Sequence, residues 1–264
     1  MSPSFDRLLR VMSRLRGEGG CPWDREQTHV SLKPYLVEET YEVIEAIESG
    51  CAEPLCEELG DLLFQVVFHA EIAKEAGRFD MDSILKACIE KMTHRHPHVF
   101  SEKEANTHPA DSEAVLERWE EIKKKESRNR HRESALDGVP KSLPSLLRAY
   151  QLQARTARVG FDWQHPEPVL DKIDEEFEEL REAMANKDPN QIENELGDLL
   201  FSIVNLARHM KINPEDAMRG TINRFTERFS KLEKKAKEDE TDISSLSLDE
   251  MNLLWDWAKS DANL

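Results

Sequence analysis

The chain has 264 residues, enough for one large or two ordinary domains. With 39% hydrophobic residues it can bury a core, and 34% charged residues point to a helical, well-solvated surface. A formal charge of −17 argues against non-specific binding to nucleic acid or to an acidic membrane, because both depend on basic surface. No apolar run nears the roughly 20 residues of a membrane-spanning helix. Four cysteines (Cys21, Cys51, Cys56, Cys88), none in a CxxC pair, and no signal-peptide pattern predict reduced thiols in a soluble cytoplasmic protein.

Apolar residues at three- and four-residue steps, with Gly and Pro at segment ends, predict helices near 4–16, 33–49, 53–76, 81–95 and 110–127. Pro34 opens the second and Gly50 ends it; Pro54 opens the third and Gly77 ends it. Between the first two lies "GCPWD" at 20–24, and after the fourth lies "THRHPHVF" with His94, His96 and His98 at alternate positions. That histidine run has no counterpart later and lacks a further ligand at useful spacing, so it reads as helix-end capping or packing. A charged stretch at 128–143 then leads into Pro144, and five more helices are expected near 143–158, 167–187, 190–211, 214–237 and 248–261.

The second set repeats the first. "ELGDLLF" stands at 58–64 and again at 195–201, and "EETYE" at 38–42 is matched by "EEFEE" at 175–179. "GCPWD" has a looser echo in "GFDW" at 160–163. The fold expected is all-α: tandem helical bundles of about five helices each, 1–127 and 144–264, joined by the linker.

Residues three apart share a helix face, so Glu39 with Glu42, and Glu58 with Asp61, project together from antiparallel neighbours. In the second copy the four are Glu176, Glu179, Glu195 and Asp198. Four converging carboxylates repel unless a hard cation neutralises them, and oxygen-only ligands suit Mg²⁺, with Mn²⁺ as substitute. The leucines and phenylalanine of the repeated segment are expected to anchor the helix in the core, and its glycine to permit close approach.

These motifs together resemble the two-domain MazG proteins among the all-α nucleoside triphosphate pyrophosphohydrolases. The resemblance implies helical bundles paired in a homodimer and Mg²⁺-dependent cleavage of nucleoside triphosphates to monophosphate and pyrophosphate, with broad base tolerance. It assigns Lys172, Arg224 and Arg228 to the triphosphate and sets Trp255 against the base. Glu175 is left with two roles, general base or orienting group for metal-bound water. The first copy has Tyr35 where the second has Lys172, and Phe68 where it has Asn205, so catalysis is expected mainly in the second. The alternatives are a dUTP- or deoxynucleotide-preferring enzyme and a non-catalytic helical interaction module.

Overall fold

The structure, a computed structural model, describes residues 3–101, 111, 115, 118, 119, 122 and 134–260. It divides into two compact units, Met1–Arg130 and His131–Leu264. Among the described residues there is no β-strand, and no helix is long and apolar enough to cross a membrane.

In the first unit α1 (Pro3–Arg16) leads through a short α2 (Pro22–Glu26) to α3 (Lys33–Ser49), α4 (Ala52–Glu75), α5 (Met81–Arg95) and a one-turn α6 (Pro97–Phe100). Most of the helix expected near 110–127, and the first part of the linker, lie outside the described residues. The second unit holds α7 (Ser145–Ala157), α8 (Glu167–Asn186), α9 (Pro189–His209), α10 (Pro214–Glu238), a 3-10 turn at Ile243–Ser245 and α11 (Leu248–Ser260).

The turns that set each acidic hairpin follow from local chemistry. α3 stops where Gly50 takes a left-handed conformation (φ 67°), a region that glycine, lacking a Cβ, enters at least cost. At the corresponding point α8 ends on Lys187, a non-glycine held at φ 54°. α9 starts on Asp188, whose carboxylate accepts from the backbone N–H groups of Asn190 and Gln191, with Pro189 next. These tight turns fold α3 on α4 and α8 on α9 as antiparallel pairs.

The first unit's core gathers Met12, Leu32, Val67, Phe68, Ala70 and Met81, with α1 and α5 packed against α4. Arg16, nearly buried, ties three elements together: it pairs with Glu75 of α4 at 2.7 Å and donates to the carbonyls of Asp24 and Gln27. In the second unit α7 packs on α9 and α10, and α11 lies along α10.

Two expectations about the repeated segment are corrected. Leu59 and Leu63 of α4, and Leu196, Leu200 and Phe201 of α9, are exposed and do not anchor the helices in a core, whereas Phe64 packs against the first unit's core as expected. On α4, Leu59 and Leu63 continue the stripe of Val67 and Ala70 toward the N-terminal end of the helix, where it is no longer covered. A Cβ added at Gly60 or Gly197 would meet nothing within 4 Å, so neither glycine admits a close neighbour.

Candidate active site

In the second unit, α8 presents Glu176 and Glu179 one turn apart, and α9 faces them with Glu195 and Asp198. A carboxylate oxygen from each of Glu176, Glu179 and Glu195 lies within 4.8 Å of the other two. Glu176 is only 6% exposed. Lost solvation and the neighbouring Glu176 and Glu195 push the Glu179 carboxyl above its usual range. Lys172, one turn before Glu176, sits 2.8 Å from both Glu175 and Glu176. Those two carboxylates, Glu175 first, hold its ammonium protonated well beyond the ordinary lysine range.

Lys172, Glu176 and Asp198 open onto a cavity of about 600 Å³, a volume typical of small-ligand sites. Its remaining wall is built from α7 (Gln153), the 160–163 turn (Phe161, Asp162, Trp163) and the next two turns of α9 (Phe201, Asn205). Asp162 anchors the turn by accepting from Arg208 and, at 3.2 Å, pairing with His209. Burial alone would raise the Asp162 carboxyl; Arg208, His209 and the Trp163 N–H reverse this and hold it below the usual carboxylate range.

Arg224 and Arg228 stand on α10 and Trp255 on α11, outside the cavity wall. Arg224 donates to Thr221 Oγ1 at 2.9 Å, while the nearby Glu227 pairs with Lys231 at 3.3 Å. Trp255 packs against Phe225 with ring centroids 5.2 Å apart. The geometry thus brings Glu176, Glu179 and Glu195 together beside Lys172, puts Asp198 on the same cavity wall as Glu176, and leaves the second group on a separate helix pair.

The first unit repeats the acids and changes what surrounds them. Oxygens of Glu39, Glu58 and Asp61 lie within 4.8 Å of one another. Glu39 accepts from Gln65 at 3.3 Å. Lost solvation, only partly offset by that bond, together with Asp61, Glu42 and Glu38 raises the Glu39 carboxyl; Glu58 is raised by lost solvation and by Glu42 and Asp61. Tyr35 takes the place of Lys172. Trp23 meets Tyr35 edge-on at 5.6 Å and Phe68 at 6.5 Å, and Phe68, 1% exposed, carries the Arg16 guanidinium 5.4 Å from its ring centre. Rings therefore stand where the second unit has an amide and an ammonium.

Sequence reasoning missed Gln153 and the Asp162–Arg208 tie. The available signal was a glutamine on an amphipathic helix and an aspartate inside the "GFDW" echo. The histidine run behaves as expected of a helix end: His96 Nδ1 bonds to the Met92 carbonyl at 2.7 Å, and among the described residues these histidines join no metal-like cluster.

The model of the MazG nucleotide pyrophosphohydrolase domain matches this chain twice, at residues 27–100 and 164–232, each match enclosing one acidic hairpin. The chain is 43% identical over 255 residues to the nucleoside triphosphate pyrophosphohydrolase/pyrophosphatase MazG of Thermotoga maritima, covering 97% of this chain and 95% of that protein. It is 45% identical over 260 residues to the nucleoside triphosphate pyrophosphohydrolase of Escherichia coli K12, covering 97% of each. A solved mazG-related protein from Thermotoga maritima matches 46% of this chain and 99% of its own at 31% identity, with a TM-score of 0.38. Two matched domains and relatives aligned almost end to end make this chain a member of the MazG nucleotide pyrophosphohydrolase family.

Proposed function

We propose that the chain hydrolyses nucleoside triphosphates to the monophosphate and pyrophosphate, with Mg²⁺ and little base preference, and that the second unit carries the reaction. The observation that carries this reading is the carboxylate cluster of Glu176, Glu179 and Glu195, whose Glu176 lines, with Lys172 and Asp198, a cavity of ligand size.

The donor set suits a hard cation. It consists of oxygens alone, and their separation is close to the roughly 4 Å span of two oxygens across one Mg²⁺ ion. Glu176, Glu179, Glu195 and Asp198 would hold the ion. When bound, it would polarise a phosphoryl oxygen and lower the pKa of a ligating water. Binding also relieves the repulsion that raises Glu179.

The remaining work falls to the protein's own groups. Lys172 exchanges its two carboxylate partners for a phosphate oxygen, a charge-assisted contact of the same kind. That exchange frees Glu175, the more exposed partner, to accept the proton of the attacking water. Arg224, Arg228 and Trp255 enter the proposal as further triphosphate and base contacts on the resemblance alone. The first unit, with rings at the matching positions, serves structure or regulation.

A homodimer is part of the same reading. The exposed apolar residues of α4 and α9, with unfilled space over Gly60 and Gly197, suit a second copy of this chain. The same proposal places the chain in the cytoplasm, beside a nucleotide pool.

The test is pyrophosphate release from a panel of nucleoside triphosphates, with and without Mg²⁺, for the native chain, Glu176→Ala and Glu39→Ala. Metal-dependent release that Glu176→Ala abolishes and Glu39→Ala spares is expected. Equal losses in the two variants would sink the asymmetry, and orthophosphate in place of pyrophosphate would mean that a different bond is cut.

A further inference from the structure

We propose that residues 20–32 form a strap over the first unit's acidic hairpin and that the His29–His69 pair is its latch, closed near neutrality and released in acid. The inference is independent of the reaction proposed above.

The strap crosses the hairpin where the second unit keeps a cavity. Gly-x-x-Trp stands at 20–23 and again at 160–163, so Trp23 answers to Trp163 as Tyr35 does to Lys172 and Phe68 to Asn205. In the second unit those three side chains line the cavity. In the first the three rings pack on one another, Trp23 meeting Tyr35 at 5.6 Å and Phe68 at 6.5 Å. Hydrogen bonds make the strap one piece. Gln27 Nε2 donates to the Trp23 carbonyl at 2.9 Å, Ser31 Oγ to Gln27 Oε1 at 2.7 Å, and the Thr28 N–H to Ser31 Oγ at 2.9 Å. Motion at His29 is therefore passed to Trp23.

The latch joins the strap to α4. His29 Nδ1 and His69 Nδ1 are 2.8 Å apart, with ring planes 17° from parallel and ring centres 5.1 Å apart. Ring faces in van der Waals contact stay about 3.5 Å apart, so these rings do not lie face on face. They meet nitrogen to nitrogen near one plane, the arrangement of an N–H···N hydrogen bond. Such a bond needs one of the two nitrogens bare. A proton added at a free Nε2 leaves it in place. A proton added at the accepting Nδ1 turns acceptor into donor, sets two N–H groups against each other and breaks it.

No carboxylate steadies a charged His69. Its ring is pushed below the usual histidine range by burial and by His29. One turn to either side on α4 stand Gln65, Val66, Ile72 and Ala73, none of them titratable. Arg16 of α1 is taken up by Glu75 of α4 and by the strap carbonyls of Asp24 and Gln27, and on α5 Asp82 pairs with Lys86. The strap's own Asp24, Arg25 and Glu26, and Lys33 at the start of α3, do not enter the shift. A released His69 takes up its proton at the ordinary value of 6.5 and a latched one only lower, so opening becomes easier as pH falls below 6.5.

The second unit ties the matching segment differently. Asp162, held below the usual carboxylate range, accepts from Arg208, and both stay charged through the neutral range. Its 160–163 turn is an internal control.

The experiment is hydrogen exchange read by mass spectrometry on the full chain at pH 7.5 and pH 5, with rates corrected for the intrinsic effect of pH. In the native chain, peptides spanning 21–32 should exchange about tenfold faster in acid, the effect of losing one hydrogen bond, while those spanning 158–164 hold steady. His69→Leu should exchange over 21–32 as fast at pH 7.5 as the native chain does at pH 5, with no further gain in acid. His29→Ala, which removes the other half of the pair, should behave in the same way. An unchanged native rate would overturn the latch. So would acid loosening that persists in both variants, since Glu39 and Glu58 remain there and would be its cause. Equal loosening of 21–32 and of α4 would overturn it too, because the strap would then not open by itself.

Discussion

Asp162→Asn tests whether one ion pair holds the aromatic rim of the cavity in place. The pair with Arg208 is neither exposed nor fully buried: the side chains are 23% and 13% exposed. Exposed pairs contribute about 0–1 kcal/mol, and breaking a buried one costs about 3–5 kcal/mol. Arg208 keeps the Asn205 oxygen as a partner after the substitution, which places the expected loss near 2 kcal/mol. For a unit of roughly 130 residues that corresponds to about 7 °C in Tm. The assay is a double-mutant cycle of Asp162→Asn, Arg208→Met and the double variant, using urea denaturation followed by hydrogen exchange at α9, so that the two units are not confounded. Release of the 160–163 turn should also raise KM for a nucleoside triphosphate while kcat holds. The sign with pH follows from the lowered Asp162 carboxyl: the pair's contribution is complete above the ordinary value of 3.8 and fades as pH falls through the folded-state value. A coupling energy under about 0.5 kcal/mol, or an unchanged KM, would refute the reasoning.

In the first unit, His29 and His69 place their Nδ1 atoms 2.8 Å apart, so one proton serves both. Burial and the neighbouring His29 depress His69, so the unfolded chain binds more protons below the ordinary value of 6.5. Stability should therefore decline as pH drops below 6.5 and level off under the folded-state value. His69→Leu, which installs the residue found at the matching Leu206, should flatten that limb in calorimetry; a slope as steep as the native one would contradict this. Phe68→Ala removes a ring from the core and should cost about 3–5 kcal/mol, visible as faster hydrogen exchange in α1 and α4. Pyrophosphate release, measured below the melting range, should be unchanged, and a loss of activity matching that of Glu176→Ala would show that the first unit takes part in catalysis.

Helix positions were legible because period and punctuation agree: nine of the ten expected helices lie within a few residues of the observed ones, and most of the tenth falls outside the described residues. The short helices Pro22–Glu26 and Pro97–Phe100 escaped because four or five residues are too few to show a period. The acids were legible for a different reason, since residues three apart on a helix must share a face whatever surrounds them. Burial was less so. Leu59 and Leu196 have the spacing of core residues, yet periodicity identifies an apolar face without saying what covers it. Gln153 was opaque because its place on the cavity wall is set by the Phe201 carbonyl, 48 residues away, and that contact is visible only in the fold.

Each unit has a triad of carboxylates, drawn from matching acids but not the same three, whereas the lysine accompanies it only in the second. Titration therefore separates two stoichiometries that a simpler protein would merge. A divalent cation should approach two equivalents per chain at saturation, and a nucleotide only one. The cation bound at Glu39, Glu58 and Asp61 would then act as an internal reference, reporting what carboxylates alone can hold, against which the coupling of metal to nucleotide in the second unit can be read within a single molecule.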